Sequence, residues 1–399
     1  MFYLVPPTGT SITPADINRI IKSWISSDSQ SKIFDDLVKK HADAKYCFML
    51  NSGRTALVFI LNSFSRSGNK KNEVIMPAYT CFSVAAAVAR SGLKIRLVDI
   101  DPLTLDYNYE ILLTQNFDNV LAIIGCNLFG ILSDWNRLKS IAIKNNVYLI
   151  DDAAQSMGTS FQGRVSGSLC DVGFYSLGRG KNLSTVSGGI VITDNEHLAS
   201  NIYKNIEDLS KPGLISNMKM LLNIILYSIF LNPKLYWLPD KMPFLKLGQT
   251  VFDEHFIIGN LSDLQKCAGI VLFPKLDNIN AIRSKNARAI CEGILADARF
   301  RIPGYSTDRF PIYLRIPVLA RNSHERDKTI AALKKVGIKS SSMYPTTIRR
   351  IEGIERYLSN PEDDFEGAQA VVDRLFTLPT HHYVKDSDIK KIIDCLKEN

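Results

Sequence analysis

No two of the seven cysteines (Cys47, Cys81, Cys126, Cys170, Cys267, Cys291 and Cys395) form a C-x-x-C pair, and their number is odd. That pattern suits a reducing cytoplasm and argues against a disulfide framework. Cysteine and histidine together show no metal-ligand spacing, so no metal is expected. The start, Met1-Phe-Tyr-Leu-Val-Pro-Pro, has no basic region followed by an apolar one, and no secretion signal is read there. No G-x-G-x-x-G follows the first expected strand, no G-x-x-x-x-G-K-[ST] occurs and no G-x-S-x-G elbow is present. Dinucleotide, P-loop and hydrolase readings therefore have no anchor. Long apolar runs are also scarce. The strongest, residues 220–231, stops at Asn232-Pro233, well short of the roughly twenty residues a membrane span needs. It reads as a buried helix or an oligomer contact. The alternative is a peripheral, in-plane membrane contact through 214–238, flanked by Lys211, Lys219 and Lys234.

Charge points the same way. The formal net charge is +8, yet Lys and Arg are dispersed and form no block. Weak attraction for phosphorylated small molecules follows, and nucleic acid is not an expected partner. At 399 residues, with 46% hydrophobic and 22% charged residues, the chain has the size and balance of a two-part globular protein.

Over the first two-thirds, short apolar runs alternate with helical patterns. Strands are expected at 74–76, 95–98, 120–124, 147–150, 172–176 and 190–193, and helices at 55–64, 82–91, 135–145 and 196–208. This alternation predicts an α/β fold with a mostly parallel sheet. From about 261 a long helical pattern runs towards 295. A strand near 312–316, a helix at 324–336 and a closing helix near 386–396 follow. The expected division is a large portion, 1–260, with an apolar insert at about 213–250, and a smaller α+β portion, 261–399.

Three features carry chemistry. Ser52-Gly53-Arg54-Thr55 is a small-residue turn opening an apolar helix, which suits a phosphate or an ordinary helix cap. Asp152 ends an apolar strand, where ligands bind in open α/β sheets, although it or Asp151 could instead cap a helix. Lys181 lies in Gly178-Arg-Gly-Lys-Asn-Leu183, followed by a Ser/Thr-rich turn ending in Gly188-Gly189. It is either a solvated loop lysine or an amine poised for Schiff-base chemistry on a pyridine cofactor.

The order of these pieces is more telling than any one of them. Asn51-Ser-Gly-Arg-Thr-Ala-Leu57, Met76-Pro-Ala-Tyr-Thr80 and Leu128-Phe-Gly130 are followed by Ile150-Asp-Asp-Ala-Ala-Gln-Ser-Met-Gly158 and Gly167-Ser-Leu-Cys-Asp-Val-Gly-Phe-Tyr-Ser176. Lys181-Asn-Leu183, Gly188-Gly189, Tyr344-Pro345 and Leu378-Pro379 complete the series. Over nearly its whole length the chain resembles the DegT/DnrJ/EryC1/StrS family of PLP-dependent sugar aminotransferases, which have the type I aminotransferase fold.

That resemblance implies pyridoxal 5'-phosphate as cofactor, an amino-acid donor (glutamate or glutamine), a keto-sugar acceptor linked to a nucleotide, and a homodimer. By it, Lys181 would form the Schiff base and later move the proton between substrate and cofactor carbons. Asp152 would pair with the pyridinium nitrogen, and Gln155 would touch the ring hydroxyl. Ser176 and the amides of Gly53 and Arg54 would hold the phosphate, and the Arg54 guanidinium could add a contact. The sugar dehydratases of the family carry histidine at the lysine position, so Lys181 points away from that branch. Three positions depart from the family. Cys81 stands where an aromatic usually stacks on the ring, leaving Phe82 or Tyr79 to take over. Asn127 replaces a common histidine, and Ile257-Ile-Gly-Asn260 replaces a Gly-x-Asn-Tyr-Arg run that reaches across the dimer. These departures imply a remodelled acceptor site, and they leave two alternatives open: a different carbonyl substrate, or a non-catalytic, regulatory member of the family.

Overall fold

The computed structural model describes residues 3–26, 30–65, 70–242, 251–307 and 310–398. Residues 243–250, the end of the expected insert, lie outside the described residues.

The main sheet holds seven strands: β1 (Tyr46–Leu50), β2 (Glu73–Pro77), β3 (Lys94–Val98), β4 (Val120–Cys126), β5 (Tyr148–Asp152), and two more after a short hairpin. The hairpin is β6 (Ser160–Phe161) with β7 (Arg164–Val165), and the remaining sheet strands are β8 (Val172–Ser176) and β9 (Gly189–Thr193). Their spatial order is β1-β9-β8-β5-β4-β2-β3. Every neighbouring pair from β8 to β3 is parallel, and β9 alone runs against its neighbours. The alternation in the sequence thus does yield a mostly parallel sheet. β2, β4 and β9 are buried along their whole length, which is why they read as unbroken apolar runs.

Helices α1 (Pro14–Ile25), α2 (Gln30–Ala42), α3 (Gly53–Ser65), α4 (Phe82–Arg90), α5 (Tyr109–Leu113), α6 (Trp135–Asn145) and α7 (Glu196–Glu207) cover the sheet. Their ends follow local chemistry. Thr13 and Asp16 form a capping box on α1, and Asn146 closes α6 in the left-handed region at φ 49°. Then come α8 (Leu214–Phe230), α9 (Trp237–Asp240), α10 (Asp263–Leu272) and α11 (Leu276–Ile294). The C-terminal part pairs β10 (Arg315–Leu319) with β11 (Leu375–Pro379) in an antiparallel ribbon. It is flanked by α12 (Ser323–Lys335), α13 (Glu366–Arg374) and α14 (Asp386–Glu398).

The strand expected at 312–316 begins three residues later. Residues 313 and 314 are hydrogen-bonded elsewhere: Leu314 N donates to Phe129 O, and Tyr313 O accepts from Thr380 Oγ1. β1, β11, α1 and α2 were not anticipated. The apolar insert is half right. α8 buries Asn217 and Ile224, and Leu231 behind it, but leaves Leu214, Ile215, Met218, Leu222, Leu226 and Ile229 exposed. No helix among the described residues is long and apolar enough to cross a membrane.

The extended segment before α1 is threaded through the molecule. Leu4 N donates to Pro233 O and Val5 N to Gly337 O, while His381 Nε2 lies 2.7 Å from Pro6 O. Arg283 of α11, fully buried, donates to Gly9 O (2.8 Å) and Leu314 O (2.9 Å). Burial pushes its guanidinium down to about 10. Arg283→Met strands the Gly9 carbonyl in a dry interior and leaves Leu314 O to Thr380 Oγ1 alone, at a cost of about 2–5 kcal/mol. Hydrogen exchange should speed up in residues 4–12 and at Tyr313 to Ile316. Unchanged exchange there would show that Arg283 does not hold the segment.

Candidate active site

β5 ends in two acids on consecutive residues, and a strand sends neighbouring side chains to opposite faces. Asp151 turns into the loop around β6 and β7. There it accepts from Gly167 N (2.5 Å), Leu169 N (3.3 Å) and Asn127 Nδ2 (2.7 Å). Its carboxyl is pushed up to about 7, chiefly by burial. Asn127, at the departure from the family pattern, is thereby an anchor for Asp151. Asp152 turns the other way. Its Oδ1 accepts from Ala154 N (3.0 Å), and no helix follows for it to cap. Burial raises its carboxyl, while the Ala154 amide, Lys181 and Cys126 act to lower it.

The reversal from β8 to β9 creates a loop, 177–188, at the same carboxyl edge of the sheet. Ser176 pairs with Gly189 at its base. Lys181 rises from this loop into electrostatic reach of Asp152 and Cys81. Desolvation drives its amine below the ordinary lysine range; Cys81 and Asp152 oppose that, and Arg315 adds to it. Lys181 and Asp152 form no ion pair within 4.0 Å among the described residues, so neither is consumed by the other.

The N-terminus of α3 meets the loop. Ser52 Oγ caps Thr55 N (3.2 Å), leaving the N–H groups of Gly53 and Arg54 without intrahelical partners. A Cβ on Gly53 would come within 3.1 Å of Ser176 Cβ, and one on Gly189 within 2.2 Å of Ser52 O. Glycine at both positions lets the helix end, Ser176 and the Lys181 loop converge. The Arg54 side chain turns away to Asp253 (3.9 Å) and the Phe256 ring (4.5 Å).

Gln155 is fixed at both ends of its amide. Oε1 accepts from Phe129 N (3.2 Å), and Nε2 donates to Tyr344 Oη (3.1 Å). Phe82 is buried at the start of α4 and stacks on Tyr344, with ring centroids 6.1 Å apart. Tyr79 tilts against the same ring at 5.3 Å. The Cys81 side chain lies within electrostatic reach of Lys181.

Sequence reasoning passed over the loop's supports. Thr8 Oγ1 donates to Gly180 O (3.1 Å) and Thr10 Oγ1 to Lys181 O (3.1 Å), while Thr10 N donates to Tyr227 Oη of α8 (3.0 Å). These contacts span some 170 residues and more, so no local pattern announces them. Arg315 was also passed over. Its signal was a lone charge inside an apolar strand.

The donor set suits pyridoxal phosphate. A desolvated amine, a buried acid with one oxygen uncommitted to backbone, and a helix N-terminus beside a serine hydroxyl are brought together at one sheet edge.

The comparisons with known proteins agree. The DegT/DnrJ/EryC1/StrS aminotransferase family model matches residues 10–397. The UDP-2-acetamido-2-deoxy-3-oxo-D-glucuronate aminotransferase of Pseudomonas aeruginosa is 25% identical over 91% of this chain and 88% of its own. The GDP-perosamine synthase of Caulobacter vibrioides is 26% identical over 94% and 92%. In fold, the PLP form of the putative sugar aminotransferase Spr1654 from Streptococcus pneumoniae superposes with TM-score 0.78 at 19% identity, covering 99% of this chain and 98% of that one. The chain belongs to the DegT/DnrJ/EryC1/StrS aminotransferase family.

The two acids of β5 should respond differently to amide substitution. Asp151→Asn replaces an acceptor with a donor facing Asn127 and should cost about 1–3 kcal/mol of stability, read as a lower melting temperature. Asp152→Asn should leave the melting temperature of the cofactor-free protein nearly unchanged while weakening cofactor retention. In cofactor-free protein, Lys181 should also react with acetic anhydride at lower pH than surface lysines. Because the Asp152 charge raises the amine, Asp152→Asn should move that labelling midpoint further down; an upward move contradicts the electrostatics.

Proposed function

We propose that this aminotransferase moves an amino group from glutamate or glutamine to a keto sugar linked to a nucleotide. The observation that carries the reading is the desolvated Lys181 amine, held at the carboxyl edge of the sheet beside Asp152 and the N-terminus of α3. The relatives named above, one acting on a UDP-linked sugar and one on a GDP-linked product by their names, support the substrate class. The physiological setting is surface polysaccharide or glycan biosynthesis on the cytoplasmic side, in keeping with the seven free cysteines.

When bound, the cofactor supplies a pyridinium ring that takes up the electron pair of the carbon being aminated or deaminated. Lys181 would hold it through the amine and would carry the proton between the two reacting carbons. A depressed amine is suited to this, because lowering its pKa favours the neutral base. Asp152 holds the proton on the ring nitrogen, an ion pair strengthened by burial. Gln155, its amide fixed between Phe129 and Tyr344, offers its second N–H to the ring oxygen. The free amides of Gly53 and Arg54 and the Ser176 hydroxyl hold the phosphate. Phe82, packed against Tyr344 at the start of α4, would stand in for the missing aromatic at position 81 beside the ring.

The division at about residue 260 is retained as part of the same proposal. α10 bridges it, packing back on α1, α2 and α8, while α11 turns to α14. A homodimer completes the reading, and the exposed face of α8 is the surface we assign to contact beyond the chain, in the dimer or on a membrane.

Purified protein should be yellow, and glutamate or glutamine should bleach it. Adding UDP- and GDP-linked keto sugars should restore the colour and yield an amino sugar by mass spectrometry, with ping-pong kinetics. Borohydride should fix the cofactor to Lys181 in the native protein and fail to do so in Lys181→Ala. A protein left yellow by every amino acid overturns the transaminase reading; bleaching without any sugar product overturns the acceptor.

A further inference from the structure

Two arginines are drawn into the interior near the Lys181 loop, and they are used differently. Arg283 gives its N–H groups to carbonyls. Arg315, on the first residue of β10, finds almost nothing. Its Nη1 donates to Met343 Sδ (2.9 Å), a weak acceptor. Its Nε is out of solvent and has no acceptor. Nη2 faces the lysine loop, 3.7 Å from where a Cβ on Gly180 would sit. The groups facing the guanidinium are the phenols of Tyr344, Tyr236 and Tyr79, all raised above the ordinary range by burial and therefore neutral. No carboxylate among the described residues pairs with it within 4.0 Å.

A partly buried guanidinium that lacks a counter-ion is costly unless something arrives to pair with it. The unused edge, Nε with Nη2, has the geometry that grips a carboxylate by two parallel hydrogen bonds. Its position narrows the choice of carboxylate. Arg315 is close enough to Lys181 to lower the amine electrostatically, so its ligand lies beside the carbon that exchanges the amino group. In an amino acid, the carboxylate attached to that carbon is the α-carboxylate.

We propose that Arg315 is the anchor for the α-carboxylate of the amino-acid donor, with Tyr236 of the apolar insert, Tyr79 and Tyr344 forming the walls of that subsite. This rests on the aminotransferase reading. It also gives the insert a part in donor selection, since Tyr236 immediately precedes α9.

The test uses the cofactor-loaded protein. Bleaching by glutamate is titrated for the native protein, Arg315→Met and Arg315→Lys, and binding of 2-methylglutamate, which has no transferable α-proton, is followed by calorimetry. Loss of a charge-assisted pair predicts a half-saturating glutamate concentration about 10–100-fold higher in Arg315→Met, with 2-methylglutamate weakened in parallel. Arg315→Lys should recover part of the loss. Butylamine, which has no carboxylate, should show no comparable change, and colour and melting temperature should confirm that the variants fold and hold cofactor. The proposal is overturned if glutamate and 2-methylglutamate bind Arg315→Met as they bind the native protein. It is equally overturned if only the keto-sugar half-reaction suffers. Failure of the native protein to bleach would instead strike the aminotransferase reading itself.

Discussion

The site depends on keeping water away from charges at the end of β5. Asp151 and Asp152 are adjacent, and both are buried, but the pleat of the strand gives them opposite surroundings. Asp151 is saturated by two amides and Asn127, so it serves as a structural pin for the β6–β7 loop. Asp152 receives a single backbone amide and is otherwise left to Lys181 and Cys126. A buried carboxyl left so lightly bonded is held ready for a partner, and burial lowers the amine of the lysine nearby. Desolvation lowers the Lys181 amine and raises the Asp152 carboxyl, and each opposes the other's shift by its charge.

That poise needs a rigid support, and the support comes from far along the chain. Thr8 and Thr10 hold the carbonyls of Gly180 and Lys181 from below, Tyr227 of α8 holds Thr10, and Arg283 holds Gly9. The inner face of the apolar insert is thus a foundation for the lysine loop, while its outer face remains exposed. The insert, which reads in the sequence as a buried helix or an oligomer contact, also supports the lysine loop.

Much of this was legible in the sequence where physics is local. Strand runs buried on both faces read as apolar stretches, and Asp152, Lys181 and the Gly53 turn fell at element ends that ligands favour. The family resemblance supplied the order that joined them. What could not be read was whatever depends on long-range pairing. β1 has no alternation to mark it, because it lies at one edge of the sheet against β9. The strand near 312 slipped because Tyr313 and Leu314 are claimed by Thr380 and Phe129. Arg54 was assigned by position, and only the fold shows its guanidinium engaged with Asp253 and Phe256 while its amide stays at the helix end.

The threading of the first dozen residues has a consequence for how the protein is made. Pro6 leaves the ribosome well before its partner His381, which follows 375 positions later. Gly9 waits in the same way for Arg283. Contacts this distant close late, because the intervening chain must already be compact. The loop bearing Lys181 can be synthesised, and the sheet beneath it formed, long before its floor is laid. A nascent or truncated chain would carry the reactive lysine without the support that places it. Arrival of Arg283 and His381, rather than of the lysine itself, is then what closes the support beneath the loop.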